Sequence, residues 1–228
     1  MSSPSSVSVS ASAPRFRDGV RAALAVAATV WFFGASFGLV ARGAGMGVAA
    51  PLVMSATTFA GSAQFAVSSI LGGAGGAAAA IAAAVLLNAR YAPISISVAP
   101  LFRGPRLRRL LEAQLIVDES WALAARGGRF DRRILLGAGL LLYVSWVSGT
   151  AVGALVGDAL GDPKDFGLDG AFPALFLALL VPQLRAPRAA TAALVGAAIA
   201  LALIPVTPPG TAIVVASAAC LLGLGRRP

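Results

Sequence analysis

The chain has 228 residues, 58% of them hydrophobic and only 12% charged, with a mean hydropathy of +0.85. Soluble domains run at about 25% charged, so a soluble globular class is excluded. Runs such as AAAAIAAAVLL at 77–87 do not alternate as barrel strands would, which leaves an all-α fold: a polytopic transmembrane helix bundle of about seven spans.

The net charge of +9 lies on arginines beside apolar runs. That placement reads as a topology signal and contact with anionic membrane lipids, with no nucleic-acid partner. The chain has no His and a single Cys, Cys220. A His-based triad, a zinc cluster and an intrachain disulfide are therefore excluded, and no metal or cofactor is expected.

Residues 1–14 are Ser-rich and read as a disordered cytoplasmic tail; 15–228 read as a single transmembrane domain. Arg15, Arg17 and Arg21 precede the first span, about 20–41, which carries Gly34 and Gly38 at the G-x-x-x-G spacing of close helix packing. The second span is about 48–71. On a continuous helix Thr57, Gly61, Gln64 and Ser68 line one stripe, either as helix glue worth about 0.6 kcal/mol per hydrogen bond or as a substrate path. GGAGG at 72–76 is a loop or the unwound centre of a discontinuous helix.

The third span, about 77–100, holds Asn88, Arg90 and the kinking Pro93. An arginine at mid-bilayer costs about 2.5–3.5 kcal/mol on insertion scales, so Arg90 faces protein or water. It either serves a substrate or holds helices together through a carboxylate. Residues 101–111 carry four arginines and belong on the cytoplasmic side. Residues 110–126 contain Glu112, Asp118 and Glu119, which suits an interfacial helix or a short span buried among others. Further spans are expected at about 134–160, 171–185, 188–205 and 209–225, with an acidic external loop at 161–170.

Two features resist a simple bundle. A cytoplasmic N-terminus and a cytoplasmic 101–109 require an even number of crossings, yet three apolar runs lie between them. One run is re-entrant, or the N-terminus is external, or 110–126 crosses. An internal repeat is also suggested: GASFG (34–38) and GTAVG (149–153) are followed by GMGVAAPLVM (45–54) and GLDGAFPALF (167–176).

Five segments in order carry a family likeness: FGASFGLVARGAGM (33–46), SATTFAGSAQF (55–65), LLNARYAPISISVAP (86–100), IVDESWALA (116–124) and GLDGAFPALFLALLVPQLR (167–185). The chain resembles the large subunit of bacterial branched-chain amino-acid exporters, the AzlC-type permeases of the LIV-E exporter family. It departs at Tyr91, where a His often follows N-x-R, and at Val117, where a Thr is common. The resemblance implies a secondary transporter that exports branched-chain or similar hydrophobic amino acids across the cytoplasmic membrane. It also implies drive by the proton gradient and a small AzlD-like membrane subunit as partner.

A zwitterionic amino acid needs donors for its carboxylate, acceptors for its ammonium and an apolar pocket. Arg90 or exposed amides at a helix break suit the first, Gln64, Asn88 and the Thr57 and Ser68 hydroxyls the second, Phe59 and Phe65 the third. Without His, proton coupling falls to Asp118 and Glu119, with Asp158 behind them, unless 118–119 pair with arginines on a solvated helix. The alternatives are a non-transporting assembly subunit and an intramembrane enzyme; no His is present to activate Ser62 or Ser68.

Overall fold

A computed structural model describes residues 15–126, 129–157, 177, 180, 181, 184, 187–207 and 211–224. The tail 1–14, Asp158, the expected loop at 161–170 and most of 171–185 lie outside them. The architecture is all-α apart from a two-residue pairing of Ala125–Arg126 with Arg129–Phe130.

Two long parallel helices form the frame, α1 (Phe16–Gly43) and α8 (Arg132–Val156). Each starts at a carboxylate. Asp18 accepts from Arg15 N at 2.7 Å, and Asp131 accepts from Arg133 N and Ile134 N, which satisfies amides that the first turn leaves free. The helices touch through glycine. A Cβ on Gly19 would overlap Ile134, on Gly38 Thr150, and on Gly153 Ala35. Contact advances along both chains in the same direction, so the helices run parallel.

The two helices also match each other. Gly34 meets the backbone of Trp146 and Thr150, while Gly149 meets that of Trp31 and Ala35. Every one of these partners is displaced by 115 positions (34 to 149, 31 to 146, 35 to 150). A two-fold axis along the helix pair accounts for this, and it places the GASFG and GTAVG elements in equivalent positions. The other repeat element, 167–176, lies outside the described residues.

The second expected span is two helices, α2 (Ala49–Thr57) and α3 (Gly61–Gly72). They form a re-entrant hairpin. α2 begins just past the end of α1. Its far end reaches the middle of α8, where Ser55 bonds Thr150 at 2.9 Å and Tyr143 OH donates to Ala56 O at 2.9 Å. α3 then returns: Phe65 packs on Phe37 and Trp146, Ser68 Oγ donates to Met46 Sδ at 3.4 Å, and Gly72 rests on Ala44 beyond the end of α1. At the tip Phe59 is buried with φ 42, a left-handed conformation that costs a bulky residue about 1–3 kcal/mol. This break resets the helical phase between Thr57 and the rest of the stripe drawn on one continuous helix: Gly61, Gln64 and Ser68 keep one side of α3, Thr57 leaves it, and GGAGG is the turn into the next helix.

That helix, α4 (Ala77–Asn88), packs antiparallel on α3 through Ala80, Ala83 and Ile70, then continues past a break at Ala89–Arg90 as α5 (Tyr91–Val98). Val98 and Phe102 reach Ile134 and Leu135 beside the start of α1. One crossing by α1 and one by α4–α5 bring the chain back to the end where it began, and the re-entrant hairpin removes the parity conflict. The arginines at 15–21, 103–109 and 126–133 all lie at this one end.

From the same end a second element dips inward. α6 (Arg106–Ala113) leads to a deep turn at 114–117, where Leu115 packs on Gly139. α7 (Asp118–Ala124) returns, so that Asp131 N donates to Ala124 O at 3.0 Å. Residues 110–126 thus neither span nor lie wholly at the surface. Three helical stretches, Phe16–Gly43, Ala77–Leu101 and Arg132–Val156, are long and apolar enough to cross a membrane. After them come a shorter apolar helix, α9 (Pro187–Leu203), and α10 (Thr211–Ala216) running into a 3₁₀ stretch to Leu224.

Candidate functional site

The two re-entrant elements meet tip to tip. Gln114 Nε2 donates to Ala56 O at 3.1 Å and to Thr57 O at 2.9 Å. These are the last carbonyls of α2, which the break at Thr58–Ala60 releases from the helix; Ala56 O takes Tyr143 OH as well. Beside this junction lies a cavity of about 110 Å³, walled by Phe33, Phe59, Phe65, Val117, Leu142 and Trp146. Its polar groups are Gly61, Ser62, Arg90, Tyr91, Asp118 and Glu119.

Arg90 sits in the break between α4 and α5. Its Nη2 lies 3.1 Å from Asp118 Oδ2 and donates to Ser62 Oγ at 3.0 Å. The guanidinium carbon is 5.2 Å from the centre of the Tyr91 ring, a cation–π contact. Both members of the ion pair stay partly open, with side chains 42% and 40% exposed. Ser62 is the second residue of α3. The first i→i−4 bond of that helix runs from Gln64 N to Ala60 O, so the Gly61, Ser62 and Ala63 amides precede the ladder and give this end of the cavity a positive dipole. Gly61 is needed where it stands, because a Cβ would come within 2.8 Å of the Trp146 ring.

Asp118 and Glu119 open α7, where helix geometry favours negative charge. Ser120 fixes this turn: its Oγ accepts from Val117 N at 2.9 Å and reaches the Leu115 and Val117 carbonyls. Two carboxylates, one guanidinium, a helix N-terminus and aromatic walls therefore converge on one small space. Among the described residues no group of three His, Cys, Asp or Glu could hold a metal ion.

The structure brings Gly61, Arg90, Asp118 and Glu119 together around this cavity. The other candidates lie elsewhere. Gln64 is fully buried behind the cavity in a polar cluster: Oε1 accepts from Ala60 N at 3.2 Å, and Nε2 donates to Ser55 Oγ at 2.9 Å. Ser55 Oγ also accepts from Trp146 Nε1 at 3.1 Å and bonds Thr150, whose hydroxyl reaches Trp146 O. Ser68 is buried against Met46, and the Thr57 hydroxyl donates back to Val53 O at 2.7 Å. Asn88 turns to a separate apolar groove with Met54 and Val67.

Two residues escaped the sequence reading, Gln114 and Tyr143. Gln114 is an uncharged polar residue among Leu111, Leu115 and Ile116, which is the one local sign of its role. At the basic end Glu112, 12% exposed, takes Arg108 Nε at 2.7 Å and also pairs with Arg132, tying α6 to α8. Burial alone would raise its pKa, but the two guanidiniums hold it below the ordinary glutamate value.

A family model described as "AzlC protein" matches residues 25–160. The chain belongs to the AzlC protein family. The match covers α1 to α8 and so includes the cavity. The AzlC chain is similar over 191 residues, at 26% identity, to the "Branched-chain amino acid transport protein AzlC" of Bacillus subtilis, covering 82% of this chain and 75% of the relative. An "Uncharacterized membrane protein" of Archaeoglobus fulgidus is 32% identical over 176 residues, 73% of this chain and 74% of the relative. "Inner membrane protein YgaZ" of Escherichia coli is 25% identical over 198 residues, 80% and 79%. No solved structure matches the chain.

Proposed function

We propose that this AzlC-family chain is a secondary transporter that exports branched-chain and similar hydrophobic amino acids across the cytoplasmic membrane, driven by the proton gradient and acting with a small AzlD-like subunit. The observation that carries the reading is the Arg90–Asp118 pair, set in an aromatic cavity where two half-membrane hairpins meet. A zwitterion fits this charge pattern: its carboxylate takes Arg90, Ser62 Oγ and the first amides of α3, and its ammonium takes Asp118 and Glu119. Phe33, Phe59, Phe65 and Trp146 receive an aliphatic side chain. Such a pocket separates single methylenes by about 1–3 kcal/mol, so the substrates overlap. Glu119, the carboxylate without an arginine contact of its own in the cavity, is assigned the coupling proton. The name of the Bacillus subtilis relative supports the substrate class.

Counterflow of labelled leucine into vesicles holding the chain, with and without the small subunit, tests the reading. Leucine-driven accumulation that Arg90→Gln abolishes is expected. Unchanged counterflow in Arg90→Gln and Asp118→Asn vesicles would reject the site, and absence of counterflow for any hydrophobic amino acid would reject the function.

A further inference from the structure

The basic end carries a second built feature that amino-acid transport does not use. α6 is amphipathic, with Leu107, Leu110 and Leu111 at i, i+3 and i+4 left 65–69% exposed, while Arg106 and Arg109 lie on another face. Between α6, the start of α1 and α8 runs a groove of about 470 Å³, lined by Phe16, Pro105, Leu107, Leu111, Leu115 and Leu136, with the paired Arg108 and Glu112 at its edge. Its walls are almost wholly apolar. Arg108 Nε holds Glu112, yet its side chain stays 57% exposed at the mouth.

We propose that this groove binds one anionic glycerophospholipid, the acyl chain lying along the leucines and the phosphate meeting the exposed end of Arg108 at the mouth, with Arg106 and Arg109 on the adjoining faces of α6 adding to the positive field. Charge complementarity selects the occupant. The apolar trough opens where the arginines at 15–21, 103–109 and 126–133 collect, and basic pockets between membrane helices take anionic headgroups over zwitterionic ones. An apolar protein segment would fill the trough but bring no anion to the arginines that collect at this end. The bound lipid braces α6 against α1 and α8, and so holds the second re-entrant element at the depth where Gln114 reaches α2.

Native mass spectrometry of the full chain with equal amounts of phosphatidylglycerol and phosphatidylethanolamine tests this. The wild type retains phosphatidylglycerol several-fold over phosphatidylethanolamine. Arg108→Gln lowers that preference about fivefold, the contribution of one basic residue near an anionic surface, and Arg108→Lys preserves it. Arg132 still pairs with Glu112 in both. Leu111→Trp fills the trough while keeping the charge, and reduces retention of both lipids. Equal retention of the two lipids by the wild type overturns the proposal. So does a phosphatidylglycerol preference that survives both Arg108→Gln and Leu111→Trp, and so does a second copy of the chain bound in place of lipid.

Discussion

Replacing Gln64 by Ala tests what this residue does at the back of the cavity. The side chain is fully buried and makes two hydrogen bonds, from Ala60 N and to Ser55 Oγ. Hydrogen bonds between membrane helices average about 0.6 kcal/mol. The larger cost is the Ala60 N–H, which sits before the first turn of α3 and loses its one acceptor; an orphaned buried donor costs about 1–3 kcal/mol. Together these give roughly 2–4 kcal/mol, before any relaxation of the tip. The assay is reversible unfolding in mixed detergent micelles, followed by circular dichroism, alongside substrate KM in vesicles. The reasoning predicts lower stability with KM little changed in the folded fraction. A stability change below about 0.5 kcal/mol with a raised KM would refute it and move Gln64 into direct contact with substrate.

At the frame, Gly38→Ala should cost about 1–3 kcal/mol or more, because its Cβ overlaps Thr150 and Ala154, whereas Gly76→Ala meets nothing within 4 Å and should stay within about 0.5 kcal/mol; the same unfolding assay compares them. Glu112 has a folded pKa below its ordinary value, so its contribution is fully present above that value and is lost as pH falls through the folded pKa. Melting temperature should therefore drop on acidification below about pH 4.5, and Glu112→Gln should flatten that limb; an unchanged limb would discard the Arg108–Glu112–Arg132 latch. Arg90→Gln and Asp118→Asn should each weaken both insertion and counterflow, and the double variant should regain insertion without regaining counterflow. Counterflow restored in the double variant would make the pair purely structural.

The frame was legible in the sequence because apolar length alone decides it: the runs at 20–41, 77–100 and 134–160 hold the three stretches that, among the described residues, are long and apolar enough to cross a membrane. The odd crossing count left a re-entrant run as one of three readings, and local sequence did not locate the break. The break falls in Thr58–Phe59–Ala60, which contains neither Gly nor Pro, and a left-handed Phe59 is held by tertiary packing against Tyr143. The glycine cluster at 72–76, the obvious local candidate, only turns the chain. Polar residues in an apolar run marked the right depth, but phase decided their direction. The break at 58–60 takes Thr57 out of the stripe, and on α3 the first turn, Gly61 and Ser62, borders the cavity while Gln64 one turn on is taken up by Ala60 and Ser55; the break at 89–90 leaves Arg90, not Asn88, at the cavity. Gln64 reads as a ligand until its partners are known, and one of them, Ser55, is itself fixed by Thr150, 95 positions away in the chain.

The pair at 90 and 118 ties the break in the α4–α5 crossing to the second hairpin. An arginine at this depth is tolerated only with a counter-charge, and no carboxylate is available on α1 to α5 beyond Asp18 at the start of α1. The counter-charge comes from α7, on the element that enters from the opposite end. The second hairpin therefore serves two neighbours: Gln114 covers the Thr57 carbonyl at the tip of the first hairpin, and Asp118 supplies the counter-charge for Arg90 at the break in the α4–α5 crossing. On the proposed reading a zwitterionic substrate replaces that one ion pair with two and leaves the net charge of the cavity unchanged. The empty and loaded sites are then close in electrostatic cost, whereas an amino-acid amide or a deaminated acid would leave one carboxylate or the arginine unpaired.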